Sequence, residues 1–211
     1  MSSKRKKGIE AAIRRKGFRR LAGVDEAGRG ALAGPVVAAA VILRDGRPIP
    51  GVTDSKRLDQ KRRELLYQRI AEEALAIAVG VVEVGTIELR NILQATLLAM
   101  EQAVGDLQVS PDGILVDGLA VPHVNVPAFP VVRGDLECPS ISAASIVAKV
   151  TRDRIMATYH QRYPTYGFDQ HKGYGTALHL RFIAEHGVSP IHRKTFSPLR
   201  QMSLPLATRG R

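Results

Sequence analysis

Residues 21–43, Leu21-Ala22-Gly23-Val24-Asp25-Glu26-Ala27-Gly28-Arg29-Gly30 followed by the apolar run Ala31 to Leu43, decide the fold. Leu21 to Val24 reads as a short strand that delivers two acids into a glycine turn. Pro35 to Leu43 is too short for most helices and rich in Val, so it predicts a buried strand. Gly46, Pro48, Pro50 and Gly51 then mark a loop. Leu65, Leu66, Ile70, Ala74 and Leu75 share one helical face, predicting a helix over 60–77 capped by Asp59. Residues 78–84 read as a strand, and the spacing of Leu89, Ile92, Leu93, Leu97, Met100 and Val104 predicts a helix over 86–107. Ile114-Leu115-Val116 and Pro130-Val131-Val132 are two further short strands. Helices are expected over 140–162, with Pro139 as a good first residue, and over 176–185. Strands alternating with helices predict an α/β domain with a central mixed β-sheet flanked by helices.

Composition narrows the function. The chain has 211 residues, 31 of them Lys or Arg and 20 Asp or Glu, for a formal net charge of +11. The excess sits at the ends. Residues 1–20 hold Lys4, Arg5, Lys6, Lys7, Arg14, Arg15, Lys16, Arg19 and Arg20 against Glu10 alone, and residues 200–211 hold Arg200, Arg209 and Arg211 and no acid. Between 21 and 199 acids and bases balance. Three parts are therefore expected: a solvated basic arm over 1–20 that attracts polyanions, a globular domain over 21–199, and a short basic tail over 200–211. An apolar content of 45% excludes intrinsic disorder. One cysteine, Cys138, excludes an intrachain disulfide framework and fits a reducing compartment such as the cytoplasm. The longest apolar run is too short to span a bilayer, so no membrane is expected. A single chain is the expected working unit.

Chemistry concentrates in acids just past strands: Asp25 and Glu26, Asp117, and Asp135. In open α/β sheets ligands gather outside strand ends. Carboxylates assembled there repel one another unless cations neutralise them, and hard oxygen donors suit Mg²⁺ or Mn²⁺. Two such ions are a recurrent device for attack on a phosphodiester. Acids after strands also cap helices or close turns, and spacing by itself leaves both readings open. Gly28-Arg29-Gly30 is similar to phosphate-cradling loops, though it lacks the third glycine of the dinucleotide fingerprint, position 33 being Ala.

Asp25 to Val37 (Asp-Glu-Ala-Gly-Arg-Gly, three residues, Gly-Pro-Val-Val) resembles the opening signature of the ribonuclease HII family. The likeness continues through Asp54 to Leu58, Asn91 to Thr96, Val116-Asp117-Gly118, Gly134-Asp135, Ala143 to Asp153, His171 to Thr176 and Pro190 to Arg193, in the family's order. The resemblance implies a ribonuclease H-like fold. It implies an endoribonuclease that cuts the RNA strand of RNA–DNA hybrids and cuts 5′ of ribonucleotides embedded in duplex DNA. It implies four metal-site carboxylates at Asp25, Glu26, Asp117 and Asp135, holding two divalent ions. Gly28, Arg29 and Gly30 match the loop that contacts the ribonucleotide, Tyr174 the tyrosine at the RNA–DNA junction, and Lys56 a basic position near phosphates.

Leu136-Glu137-Cys138 departs from the small and basic residues usual after Asp135. The C-terminal His160, His171, His179, His186 and His192 lack zinc-finger spacing and are expected to pack on or between helices. The rival readings are a pure nucleic-acid binder and a two-metal enzyme for other substrates. A pure binder gains nothing from four acids beside a phosphate-facing loop.

Overall fold

The computed structural model describes residues 8–44, 49–52, 55 and 58–202. Its centre is a five-stranded sheet: β1 (Leu21–Ala27), β2 (Val36–Ile42), β3 (Ala76–Val82), β4 (Gly113–Asp117) and β5 (Ala128–Val131). The spatial order is β3-β2-β1-β4-β5. β1, β2 and β3 pair antiparallel, whereas β1–β4 and β4–β5 are parallel. The sheet is mixed, as expected.

Before β1 lies α1 (Ile9–Arg15), and between the strands lie α2 (Gln60–Glu73) and α3 (Val84–Gly105). After β5 come the single-turn α4 (Gly134–Glu137), the long α5 (Pro139–Arg162), the short α6 (Phe168–His171), α7 (Ala177–His186) and α8 (Leu199–Met202). α3 covers one face of the sheet, where Ile87, Ala95, Ala99, Met100 and Ala103 meet Ala22, Val24, Ala38, Ala40 and Ile42. α2 and α5 cover the other, where Leu66, Ile70, Ala144, Ile146 and Val147 meet Ala39 and Val41. β2 is apolar on both faces because both are covered, which explains its unbroken run.

The boundaries differ from expectation in informative places. α2 starts at Asp59, whose side chain accepts from the Arg62 N–H (2.8 Å), but stops at Glu73. Ala74 is extended, because Ala76 must pair with Ile42 in the sheet. α3 is interrupted at Asn91 (φ 67°, ψ 165°). There Asn91 Oδ1 accepts from the N–H groups of Leu93 and Gln94, capping the second segment from within.

The arm expected over 1–20 docks on the domain from residue 9 onward through Glu10 and Ile13, while Arg15, Lys16, Arg19 and Arg20 stay exposed. Ile13 is buried against Leu21, Leu115, Val131, Cys138 and Ile141. Glu10, also buried, accepts from the backbone N–H (3.2 Å) and hydroxyl (3.0 Å) of Ser140 at the start of α5. Cys138, the N-cap residue of α5, offers no side-chain cap, so Glu10 satisfies that helix end from far away in sequence. Asp112 anchors the arm further by accepting from the N–H groups of Arg19 and Arg20.

Candidate active site

Parallel pairing aligns Val24 with Val116, so Asp25 and Asp117 leave neighbouring strands side by side. Asp25 is 5% exposed. Its carboxyl is pushed well up from the ordinary range by burial, then by the negative charges of Glu26 and Asp117, with a Ser145 hydrogen bond acting the other way. Glu26 N–H also donates to Asp25 Oδ1 (2.7 Å). Glu26 and Asp117 are thus both close enough to Asp25 to repel it where the inner strands β1 and β4 end.

Asp135 arrives differently. It is buried in α4 rather than ending a strand. Arg133, in the left-handed region (φ 57°), turns the chain, and Gly134 N–H donates to Asp117 Oδ1 at 2.6 Å. That bond ties the start of α4 to β4. The Ser142 hydroxyl donates to the Asp135 carbonyl (2.7 Å) and fixes α4 on α5. Among the described residues, no three His, Cys, Asp or Glu side chains converge on one ion position as they stand. The donor chemistry nevertheless fits a hard divalent cation. Asp25, Glu26, Asp117 and Asp135 offer oxygen only, and the mutual repulsion registered at Asp25 is what a cation relieves. The departure after Asp135 is absorbed by packing: Cys138 is buried in the Ile13 cluster, and burial followed by the charge of Glu10 pushes its thiol up to about 12.

Beside the acids opens a cleft of about 220 Å³ lined by Glu26, Gly28, Arg29, Gly30, Ser145, Lys149 and Tyr174, among others. The predicted loop and the predicted tyrosine therefore face one space. Tyr174 does not pack on Tyr166, which stacks on Phe168 instead. Two cations from α5 lie near the Tyr174 ring, Lys149 (5.5 Å to the centroid) and Arg152 (5.3 Å). Arg29 pairs with Glu26 (3.1 Å), and both line the cleft. Lys56 lies outside the described residues.

What holds the loop was not assigned from sequence. Arg152 and Arg193 are fully buried, and among the described residues neither forms an ion pair with a carboxylate. Arg152 donates to the carbonyls of Ala33, Pro35 and Lys172 at 2.9–3.0 Å. Arg193 donates to the carbonyls of Gly34 (2.8 and 3.0 Å) and Arg29 (3.0 Å). The fork of a guanidinium lets one side chain gather several carbonyls. Gly28 (φ +96°) is required here, since a Cβ would fall 2.0 Å from Arg152 Nε. Both arginines lie in stretches that carry the family likeness, 143–153 and 190–193, but an arginine in a basic chain carries no mark that it is buried.

Three of the five C-terminal histidines, His171, His179 and His192, are buried, whereas His160 is part-exposed beside Asp169 and His186 is exposed. His179 Nε2 and His192 Nε2 are 3.0 Å apart. His192 Nδ1 accepts from Ser189 N–H, so its Nε2 carries the proton and donates to His179, whose Nδ1–H in turn reaches the Tyr174 carbonyl (3.0 Å). His171 stacks on His179 (centroids 4.1 Å). Burial, then the neighbouring imidazole, lowers His179 and His192 to about 4.

The family model described as ribonuclease HII matches residues 22–198. The chain belongs to the ribonuclease HII family. It is 55% identical to the ribonuclease HII of Geobacter metallireducens over 197 residues, 93% of this chain and 92% of that protein. It is 55% identical over 188 residues to the ribonuclease HII of an Acidovorax species, covering 89% and 90% of the two chains. Its structure is similar to the crystal structure of ribonuclease H2 from Pyrococcus horikoshii OT3, with a TM-score of 0.74 and 27% identity over 87% of this chain and 96% of that one. The fold is the ribonuclease H-like fold. Ribonuclease HII proteins are metal-dependent hydrolases of phosphodiester bonds and cleave RNA in RNA–DNA hybrids. No helix among the described residues is long and apolar enough to cross a membrane.

Proposed function

We propose that this chain, acting as a single copy in the cytoplasm, cuts the RNA strand of hybrids and also cuts 5′ of single ribonucleotides embedded in duplex DNA. The products are 5′-phosphate and 3′-hydroxyl ends. The observation that carries this reading is the adjacency of the acids to the cleft: Glu26 belongs to both. A phosphate placed over the acids brings the neighbouring ribose against Gly28 to Gly30 and Tyr174.

Asp25, Glu26, Asp117 and Asp135 would hold two divalent ions, Mg²⁺ or Mn²⁺. Bound there, such ions supply charge neutralisation at the phosphate and an activated water. The chain's residues do the rest. The backbone of Gly28 to Gly30 meets the ribose 2′-hydroxyl, the local group that separates RNA from DNA. The Tyr174 ring packs on a sugar at the RNA–DNA junction. Arg29 and Lys56 contact flanking phosphates, Arg29 after exchanging Glu26 for substrate.

A DNA duplex with one ribonucleotide, incubated with the protein and Mg²⁺ or Mn²⁺, tests the reading. Cleavage 5′ of the ribonucleotide, with an all-DNA control intact, is expected. A retarded but uncut duplex would show a pure binder, and a cut control would show a general nuclease.

A further inference from the structure

Gly28 to Ala31 form a β-turn closed by the Ala31 N–H bond to the Gly28 carbonyl (3.3 Å). Its central peptide, Arg29–Gly30, is the part of a β-turn that can take two orientations. Flipping it exchanges type I for type II and needs positive φ at the third residue. Gly30 tolerates that at no steric cost, and a Cβ there would meet nothing within 4 Å. The turn sequence therefore leaves both orientations open. In the structure neither Arg29 nor Gly30 has positive φ. The Arg29 carbonyl points inward, where Arg193 Nη1 donates to it at 3.0 Å.

A trans peptide directs its C=O and N–H oppositely. With the Arg29 carbonyl held inward, the Gly30 N–H faces outward, and Gly30 is exposed on the cleft. Arg193 is itself immobilised by two bonds to the Gly34 carbonyl, so its grip on Arg29 is rigid. We infer that Arg193 is a positioning residue for ribose recognition, selecting the one orientation of the Arg29–Gly30 peptide that presents the Gly30 N–H to the 2′-oxygen. The inference rests on the function proposed above and adds to it the group that reads the ribose and the side chain that aims it.

The Arg193→Lys variant tests it, because lysine keeps the charge but cannot bridge both carbonyls. Two constants are measured in Mg²⁺: KM for a duplex with one ribonucleotide, and Ki for the matched all-DNA duplex as competitor. Their ratio reads ribonucleotide preference. The expected result is a ratio lowered about tenfold through KM, the loss of one good hydrogen bond, with Ki unchanged. An unchanged ratio in the folded variant overturns the inference. An equal rise in both constants also overturns it, since that marks a structural role alone. If Arg193→Lys does not fold, ¹⁵N spectra of the wild-type protein in EDTA decide. The Gly30 amide should shift with the ribonucleotide duplex and not with the all-DNA duplex. A Gly30 amide that stays still while Tyr174 shifts overturns the inference. Failure of the wild-type protein to cut the ribonucleotide duplex is a separate outcome and removes the functional reading itself.

Discussion

The state of Asp25 sets the terms for every other acid at the site. A carboxylate buried against two like charges costs folding energy, which points to binding rather than stability as its reason for being there. Asp25→Asn removes that charge with little change in volume. Cleavage of a duplex with one ribonucleotide should fall at least about 100-fold, while the thermal unfolding midpoint holds or rises. Wild-type rates would remove Asp25 from the chemistry, and a collapsed midpoint would make its role structural. Tyr174 makes a narrower claim. Its ring offers about 1 kcal/mol of stacking, so Tyr174→Ala should weaken cleavage at single ribonucleotides roughly fivefold more than cleavage of long hybrids. Equal losses on both substrates would argue against a junction role. The acids, the glycines and Tyr174 were legible because their residue types are unusual where they stand. Arg152 and Arg193 were not, because their meaning lies in zero exposure and in five carbonyls contributed by distant segments.

Among elements, α5 carries the most consequences. Its first turn is capped from α1, its Ser142 and Ser145 reach Asp135 and Asp25, and its Arg152 reaches the glycine loop. Glu10→Ala should cost about 1–2 kcal/mol, the usual scale for a lost cap, read as a lower midpoint in thermal unfolding. An unchanged midpoint would mean that water replaces Glu10. The segment from α6 to His192 responds to acid. Above about 6.5 the rings of His179 and His192 are neutral in folded and unfolded chains alike, and stability is flat with pH. Below it the unfolded chain takes up protons that the folded chain refuses until about 4. Stability should therefore fall between pH 6.5 and 4, by up to roughly 1.4 kcal/mol per pH unit for each ring. Asp25, with its raised carboxyl, works in the opposite direction. A midpoint flat across that window would refute the buried-neutral assignment. The helical and strand periods of the sequence located every strand and the four longest helices within a few residues. They missed the break at Asn91 and the single turn at Asp135, because both are made by local hydrogen bonds that no hydrophobic period records.

For the molecule as a whole, the arm divides in two. The stretch from Ile9 onward is anchored to the core through Ile13 and Glu10, whereas Lys4, Arg5, Lys6 and Lys7 add charge. Deleting residues 1–7 should leave the unfolding midpoint in place and make the salt dependence of duplex binding shallower by at most about 4 in log–log slope. Deleting residues 1–20 should also lower the midpoint. A shifted cleavage position in either would mean that the arm selects substrate. The sheet order has a last consequence. β5 is an outer strand of four residues, and an open strand edge invites a second copy to add its own. The carbonyls of Pro127 and Val131 point inward, to the N–H groups of Ile114 and Gly118, so Pro130 falls at an outward position. Proline has no N–H to offer there. The flank of the sheet beside Asp117 thereby resists strand addition, since a docking strand would lose a partner at its middle.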